Sequence, residues 1–311
     1  MPEARSLRIL FMGTPDFAAS SLQKLIDEKA NVVAVVTAPD KPAGRGLHLH
    51  KSAVKEVAEA AGLKVLQPEK LKDPDFLAQI QSLEIDLGIV VAFRMLPELL
   101  WKTPKLGTFN LHASLLPKYR GAAPINWAII LGENETGNTT FFLQHEIDTG
   151  KILFQESMQI GENENAGSLY DRLRQAGAHL VWKTVEAIAS GQYVEREQNE
   201  EQVVHAHKIF RETCRLDFSK SARELHNWVR GLSPYPAAWC LWEGKNLKLL
   251  RSNPTDIDCT GFPPGKFVQL SSGSLAVSSS DCWLEITELQ PEGKRKMTGR
   301  EFLAGHKLEK I

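Results

Sequence analysis

The sequence predicts a doubly wound α/β fold with a mainly parallel sheet, followed by a small C-terminal β-barrel domain. Three observations lead there. Continuous apolar runs alternate with helical patterns at short intervals up to about residue 190. A polar stretch, GQYVEREQNEEQVVH, occupies residues 191–205. Beyond it the pattern changes to short β-rich runs punctuated by Gly, Pro, Asn and Ser. Apolar runs without alternation mark strands covered on both faces, as in a parallel sheet flanked by helices.

Leu7 to Met12 is a buried-strand run, after which Gly13-Thr14-Pro15-Asp16 reads as a turn with Thr14 as N-cap and Pro15 at the first helical position. An amphipathic helix to about Lys29 and a strand from Asn31 to Thr37 follow. The pattern repeats with helices near Ser52 to Ala61 and Pro74 to Gln81, and strands at Lys64 to Leu66 and Asp86 to Phe93. Next come an extended segment at Thr108 to Leu111, a turn at Lys118 to Gly121, a helix from about Ala122 to Leu131, strands at Thr139 to His145 and Ile152 to Ile160, and a helix from about Ser168 to Ser190, closed by Gly191. The second domain opens with a helix, Ser221 to Gly231. Its strand candidates are Ala238 to Trp242, Lys248 to Arg251, Gly265 to Leu270, Ser274 to Val277 and Cys282 to Leu289. The expected organisation is a catalytic domain over 1–190, a linker over 191–205 and a β-barrel over 206–311.

A chain of 311 residues, 42% apolar and 24% charged, is large enough for two ordinary globular cores. The opening MPEARSLRIL lacks the apolar run and cleavage site of a signal peptide, and no stretch is apolar enough to span a bilayer. The cytoplasm is therefore expected, with no membrane association and a monomer as the default. Cys214, Cys240, Cys259 and Cys282 form no CxxC pair and read as thiols in a reducing compartment. The net charge of -1 conceals an asymmetry: residues 206–311 carry 16 Lys and Arg against 12 Asp and Glu. A mildly basic second domain is compatible with a polyanionic partner.

The first turn reads G-T-P-D-F rather than GxGxxG, and no GxxxxGK[ST] loop occurs, so pyrophosphate binding is poorly supported. Gly13 reads as a plain turn glycine. The run Asn110-Leu111-His112 is more informative. Residues two apart in an extended segment point the same way, which places the Asn110 amide beside the His112 imidazole at a sheet edge. The loop His145-Glu146-Ile147-Asp148-Thr149-Gly150 can carry a carboxylate towards them. An Asp next to a His orients the ring and favours its protonated form. Singly, each residue has an ordinary structural reading: a turn amide, a structural His, a hairpin Asp. Their joint occurrence favours chemistry.

The runs NLHASLLPKYRGAAPINWAI (110–129) and TTFFLQHEIDTGKIL (139–153) resemble the formyltransferases that use 10-formyl-tetrahydrofolate. FMGTPDFA (11–18), APDKPAGRG (38–46), VVAFRMLPE (90–98) and RELHNWVRGLSPYPAAW (223–239) extend the resemblance across nearly the whole chain. The resemblance implies a Rossmann-like catalytic domain with an OB-like barrel, and Asn110, His112 and Asp148 as the catalytic residues. It implies folate contacts from Ser114, Leu115, Leu116 and Pro117 and from a loop holding Val91, Phe93, Arg94, Met95 and Leu96. It also implies that Lys41, Gly44, Arg45 and Gly46 engage the acceptor end of a tRNA.

The resemblance then implies the α-amino group of initiator methionyl-tRNA as the formyl acceptor. A sugar or small-molecule amine, or water in a formyl-tetrahydrofolate hydrolase, is the alternative. Two departures stand out: Leu47-His48-Leu49-His50 replaces a lysine-rich continuation, and Phe93-Arg94-Met95 stands where many relatives have Tyr-Gly. No metal is expected, because His48, His50, His205 and His207 lack a third ligand. Lys208, Arg211, Arg215, Lys220, Arg223 and Arg230 could form a basic track.

Overall fold

The computed structural model describes residues 3–43 and 48–311. The chain divides into two compact units. One comprises Met1–Gly121, Gly137–Met158 and Tyr170–His205; the other comprises Ala122–Thr136, Gln159–Leu169 and Ala206–Ile311. The elements begin with β1 (Ile9–Gly13), α1 (Asp16–Asp27), β2 (Val32–Val36) and a hairpin of β3 (Lys41–Ala43) and β4 (His48–His50). They continue through α2 (Ala53–Ala60), β5 (Val65–Leu66), α3 (Pro74–Gln81), β6 (Leu87–Val91), α4 (Glu98–Trp101) and β7 (Thr108–His112). Then come β8 (Lys118–Gly121), α5 (Pro124–Ile130), β9 (Glu135–Phe142), β10 (Ile152–Gln159), α6 (Ala166–Ser190) and β11 (Val204–Ala206).

The first unit holds a seven-stranded sheet in the order β10-β9-β7-β6-β1-β2-β5. β1 pairs in parallel with β2 and β6, and β6 with β7, while β9 adds antiparallel to β7. The continuous burial of β1 and β6 is what a sheet covered on both faces demands. Leu10, Met12, Val36 and Val90 pack with Phe76 and Ile80 of α3 on one of those faces. Strand order reverses between β1 and β6, and in such sheets the crevice beyond the carboxyl ends at the switch point is the place for a ligand. Gly13 is more than a turn residue there, since a Cβ would lie 2.6 Å from Ala18 Cβ and 3.0 Å from Val91 O.

Three local expectations are corrected. Thr14 is not the helix cap: Pro15 is, and its carbonyl accepts from the amides of Ala18 and Ala19. Residues 118–121 form a strand rather than a turn, because β11 pairs with them. β7 lies inside the sheet, not at its edge, because β9 returns to pair with it.

The second unit contains α5 and α7 (Ala222–Leu232), the latter opened by a capping box between Ser221 and Glu224. Its sheet comprises β12 (Ala238–Trp242), β13 (Lys245–Asp258), β14 (Phe267–Gln269), β15 (Leu275–Ser278), β16 (Cys282–Pro291) and β17 (Met297–Thr298). The antiparallel order is β12-β13-β16-β15-β14, with β17 also on β16. Register shifts between Leu249 and Arg251 and between Pro254 and Asp258 bend the long β13–β16 pair. A helix not foreseen from sequence, α8 (Gly299–Gly305), seats fully buried Phe302 against Trp242.

Candidate active site

β7 is flanked by β6 and β9, with Asn110 opposite Val90 and Phe141, and His112 opposite Thr139. Leu111 faces the α6 side, where a Cβ on Gly177 would lie 2.8 Å from its Cδ2. Asn110 and His112 therefore share the other face. Asn110 is half-buried and His112 is buried.

The His112 ring is oriented by the chain that follows it. Its Nε2 lies 2.8 Å from the carbonyl oxygen of Tyr119, and a carbonyl only accepts, so Nε2 carries the proton. Nδ1 then faces Asp148, 3.9 Å from Oδ2. In the neutral ring Nδ1 is an acceptor; in the charged ring it is a second donor.

Asp148 sits in the loop between β9 and β10 with φ 56, a left-handed conformation that costs a non-glycine residue energy. Its Oδ2 accepts from the Gly121 amide at 2.9 Å. Gly150, two residues on, must be glycine, since a Cβ would lie 1.6 Å from Phe142 O. Residues 191–205, read from their polarity as a linker, run beside this loop. Arg196 bridges Ile152, and the Gln198 amide donates to the carbonyls of Asp148 and Gly150, both at 2.8 Å.

The segment 114–117 is fixed from below. Thr139 Oγ1 donates to Ser114 O at 2.6 Å and accepts from Leu116 N at 3.2 Å, while Gln155 Nε2 donates to Leu116 O at 2.8 Å. Ser114 Oγ donates to Lys118 O at 2.6 Å. The Ser114 hydroxyl thus shapes the segment, and Leu115 is its more open apolar residue.

The loop after β6 leaves Val91 buried, and Phe93 and Leu96 pack against the sheet core. Met95 is 75% exposed. Arg94 donates to Glu69 O at 2.8 Å and to Pro68 O, so its guanidinium braces backbone. Of the remaining expected residues, Lys41 takes part in the β3–β4 hairpin opposite His50, and Gly44, Arg45 and Gly46 lie outside the described residues.

The basic track of the second unit is divided by the structure. Arg230 is buried against Asn227 and the carbonyls of Gly161 and Glu164, and Arg223 pairs with Glu162. Arg211 and Arg215 lie over the Trp239 ring, and Lys208 over the exposed Phe210 ring.

An imidazole that faces a carboxylate, on the face of β7 that also carries an amide, is a combination suited to acid–base and acyl-transfer chemistry. Residues 7–185 match the formyl transferase family, and residues 208–307 match the formyl transferase C-terminal domain. The methionyl-tRNA formyltransferase of Azobacteroides pseudotrichonymphae is 48% identical over 315 residues, covering 97% of each chain. That of Bacteroides fragilis is 47% identical over 311 residues, covering 97% of this chain and 96% of its own.

Among solved structures, the N-formyltransferase of Helicobacter canadensis, in complex with folinic acid and dTDP-3-aminofucose, superposes with TM-score 0.65 at 21% identity. It is covered in full, with 94% of this chain. HypX of Aquifex aeolicus in complex with tetrahydrofolic acid gives TM-score 0.65 at 19% identity, over 98% of this chain and 49% of its own. These two share the fold. The chain belongs to the formyl transferase family.

Proposed function

We propose that the chain transfers the formyl group of 10-formyl-tetrahydrofolate to the α-amino group of initiator methionyl-tRNA, acting as a cytoplasmic monomer. The observation that carries the chemistry is the approach of His112 Nδ1 and Asp148 Oδ2 on the face that Asn110 shares. The acceptor follows from full-length similarity to enzymes of that name at 48% and 47% identity.

The folate supplies, when bound, a formyl carbon open to attack by an amine. The chain's walls fit such a group: an apolar, hydrogen-bonded segment at 114–117 and the loop from Val91 to Leu96 flank the ends of β6 and β7. Amine attack on a formyl carbonyl places negative charge on its oxygen, and preorganised donors aimed there lower the barrier. Asn110 offers its amide N–H for that oxygen, and His112, when protonated, offers Nδ1–H. Asp148 holds the charged ring in place and relays the proton that the amine loses to the folate nitrogen, which takes it as its bond to the formyl carbon breaks. An α-amino group titrates near 7.7 to 8, so the chain needs no strong base at neutral pH and acts mainly by positioning.

The second unit supports a polyanionic acceptor. A concavity of about 790 Å³ is lined by Phe210, Arg211, Trp239 and Lys248, joining aromatic faces to cations. Lys41, Gly44, Arg45 and Gly46 are assigned to the acceptor end of the tRNA.

The test supplies 10-formyl-tetrahydrofolate with charged initiator methionyl-tRNA, with a nucleotide-linked amino sugar, or with no amine. Formyl-methionyl-tRNA is the expected product. Formylation of the sugar alone, or formate release without an amine, replaces this reading with the sugar transferase or the hydrolase.

A further inference from the structure

Arg120 is buried, 6% exposed, yet it carries a full guanidinium charge. Two acceptors receive its protons. Glu200 takes two bonds, Nη1 to Oε2 at 3.0 Å and Nη2 to Oε1 at 2.7 Å. Gln198 Oε1 takes two more, from Nε at 2.9 Å and Nη2 at 2.8 Å. A guanidinium donates only, so the side-chain oxygen of Gln198 must face it and the NH2 must face away. That NH2 meets the carbonyls of Asp148 and Gly150, each at 2.8 Å.

The flanking residues of the same short strand serve the same site. Tyr119 O receives the His112 Nε2 proton, and Gly121 N donates to the Asp148 carboxylate. Asp148 itself occupies a left-handed conformation that an aspartate leaves unless held. One face of the loop is closed by Phe142 O against Gly150. The Gln198 bonds close the other.

We propose that Gln198, oriented by Arg120, is a positioning residue that locks the Asp148 loop and so sets its carboxylate against His112. The proposal rests on the reading of Asn110, His112 and Asp148 as the reaction centre. It brings Gln198, in the polar segment 191–205, into the catalytic apparatus as a residue that acts through the Asp148 loop.

The substitution that isolates the clamp is Gln198→Glu. Glutamate keeps the length and an acceptor for Arg120 but has no N–H for the two carbonyls. Steady-state kinetics of the full chain, with 10-formyl-tetrahydrofolate and charged initiator tRNA, are compared for wild type, Gln198→Glu, Gln198→Met and Asp148→Ala, with thermal melting to confirm folding. Gln198→Met covers the case in which a charge at 198 disturbs folding.

The expected result is a kcat lowered on the order of 10²-fold in the Gln198 variants, with the folate KM unchanged, as for a displaced reacting group. A Gln198→Glu or folded Gln198→Met protein with wild-type kcat, beside an inactive Asp148→Ala, overturns the clamp and leaves the site reading standing. An active Asp148→Ala overturns the site reading itself.

Discussion

The carboxylate oxygen of Asp148 that accepts from the Gly121 amide at 2.9 Å is the same oxygen that lies 3.9 Å from His112 Nδ1. One neutral backbone donor thus fixes the carboxylate, and its charge is directed to the imidazole. Asp148→Asn separates the two roles, because an amide oxygen still accepts from Gly121 but carries no charge. Turnover is expected to fall at least about 10²-fold, the usual cost of weakening one electrostatic partner in such a site. Folate binding, followed by fluorescence, should be unchanged; near-normal turnover removes charge from the mechanism.

Thr139 is the support of the 114–117 segment. Valine has nearly the same shape and lacks the hydroxyl, so Thr139→Val strands the Ser114 carbonyl and the Leu116 amide. Leaving buried polar groups unpaired costs about 1 to 3 kcal/mol each. Urea unfolding should show a loss in that range, and the folate KM should rise more than kcat falls. An unchanged KM separates this segment from the folate.

Gly150→Ala asks whether the loop tolerates movement. A methyl 1.6 Å from Phe142 O forces the backbone apart. Overpacking of this kind costs roughly 1 to 3 kcal/mol. Stability and kcat should fall together, because Asp148 lies two residues away. Normal kcat in a destabilised variant shows that the carboxylate adapts.

A pH effect is expected at the start of α8. The Thr298 amide, then the Arg295 guanidinium and the Thr298 hydroxyl, hold the Glu301 carboxyl at about 2, against 4.5 ordinarily. The folded form lowers the value, so the stabilisation is complete above about 4.5 and is lost as the pH falls through about 2. The gap in Tm between wild type and Glu301→Gln should be widest at neutral pH and shrink between 4.5 and 2. A constant gap across that window contradicts the assignment.

Local signals carried much of the fold. α3 spans Pro74–Gln81 and β12 spans Ala238–Trp242, the bounds expected from the sequence. The period-two argument places Asn110 and His112 on one face because it needs only the strand itself. What stayed hidden depends on distant chain. Residues 118–121 look like a turn until β11 pairs with them, and β7 looks like an edge until β9 returns. Gln198 carries no motif, and nothing in the run that holds Arg120 points to it; only the fold brings residues 78 positions apart into contact. Thr14 misleads because Pro15 keeps an extended backbone, with ψ 176, and takes the cap position itself.

The most direct measurement of the central claim is single-turnover formylation of charged initiator methionyl-tRNA by folded Asn110→Ala, His112→Ala and Asp148→Ala proteins at saturating 10-formyl-tetrahydrofolate. The account predicts that each loses at least about 10²-fold in the chemical step while retaining wild-type melting behaviour. A variant that forms formyl-methionyl-tRNA at the wild-type rate would contradict the placement of its residue at the reaction centre.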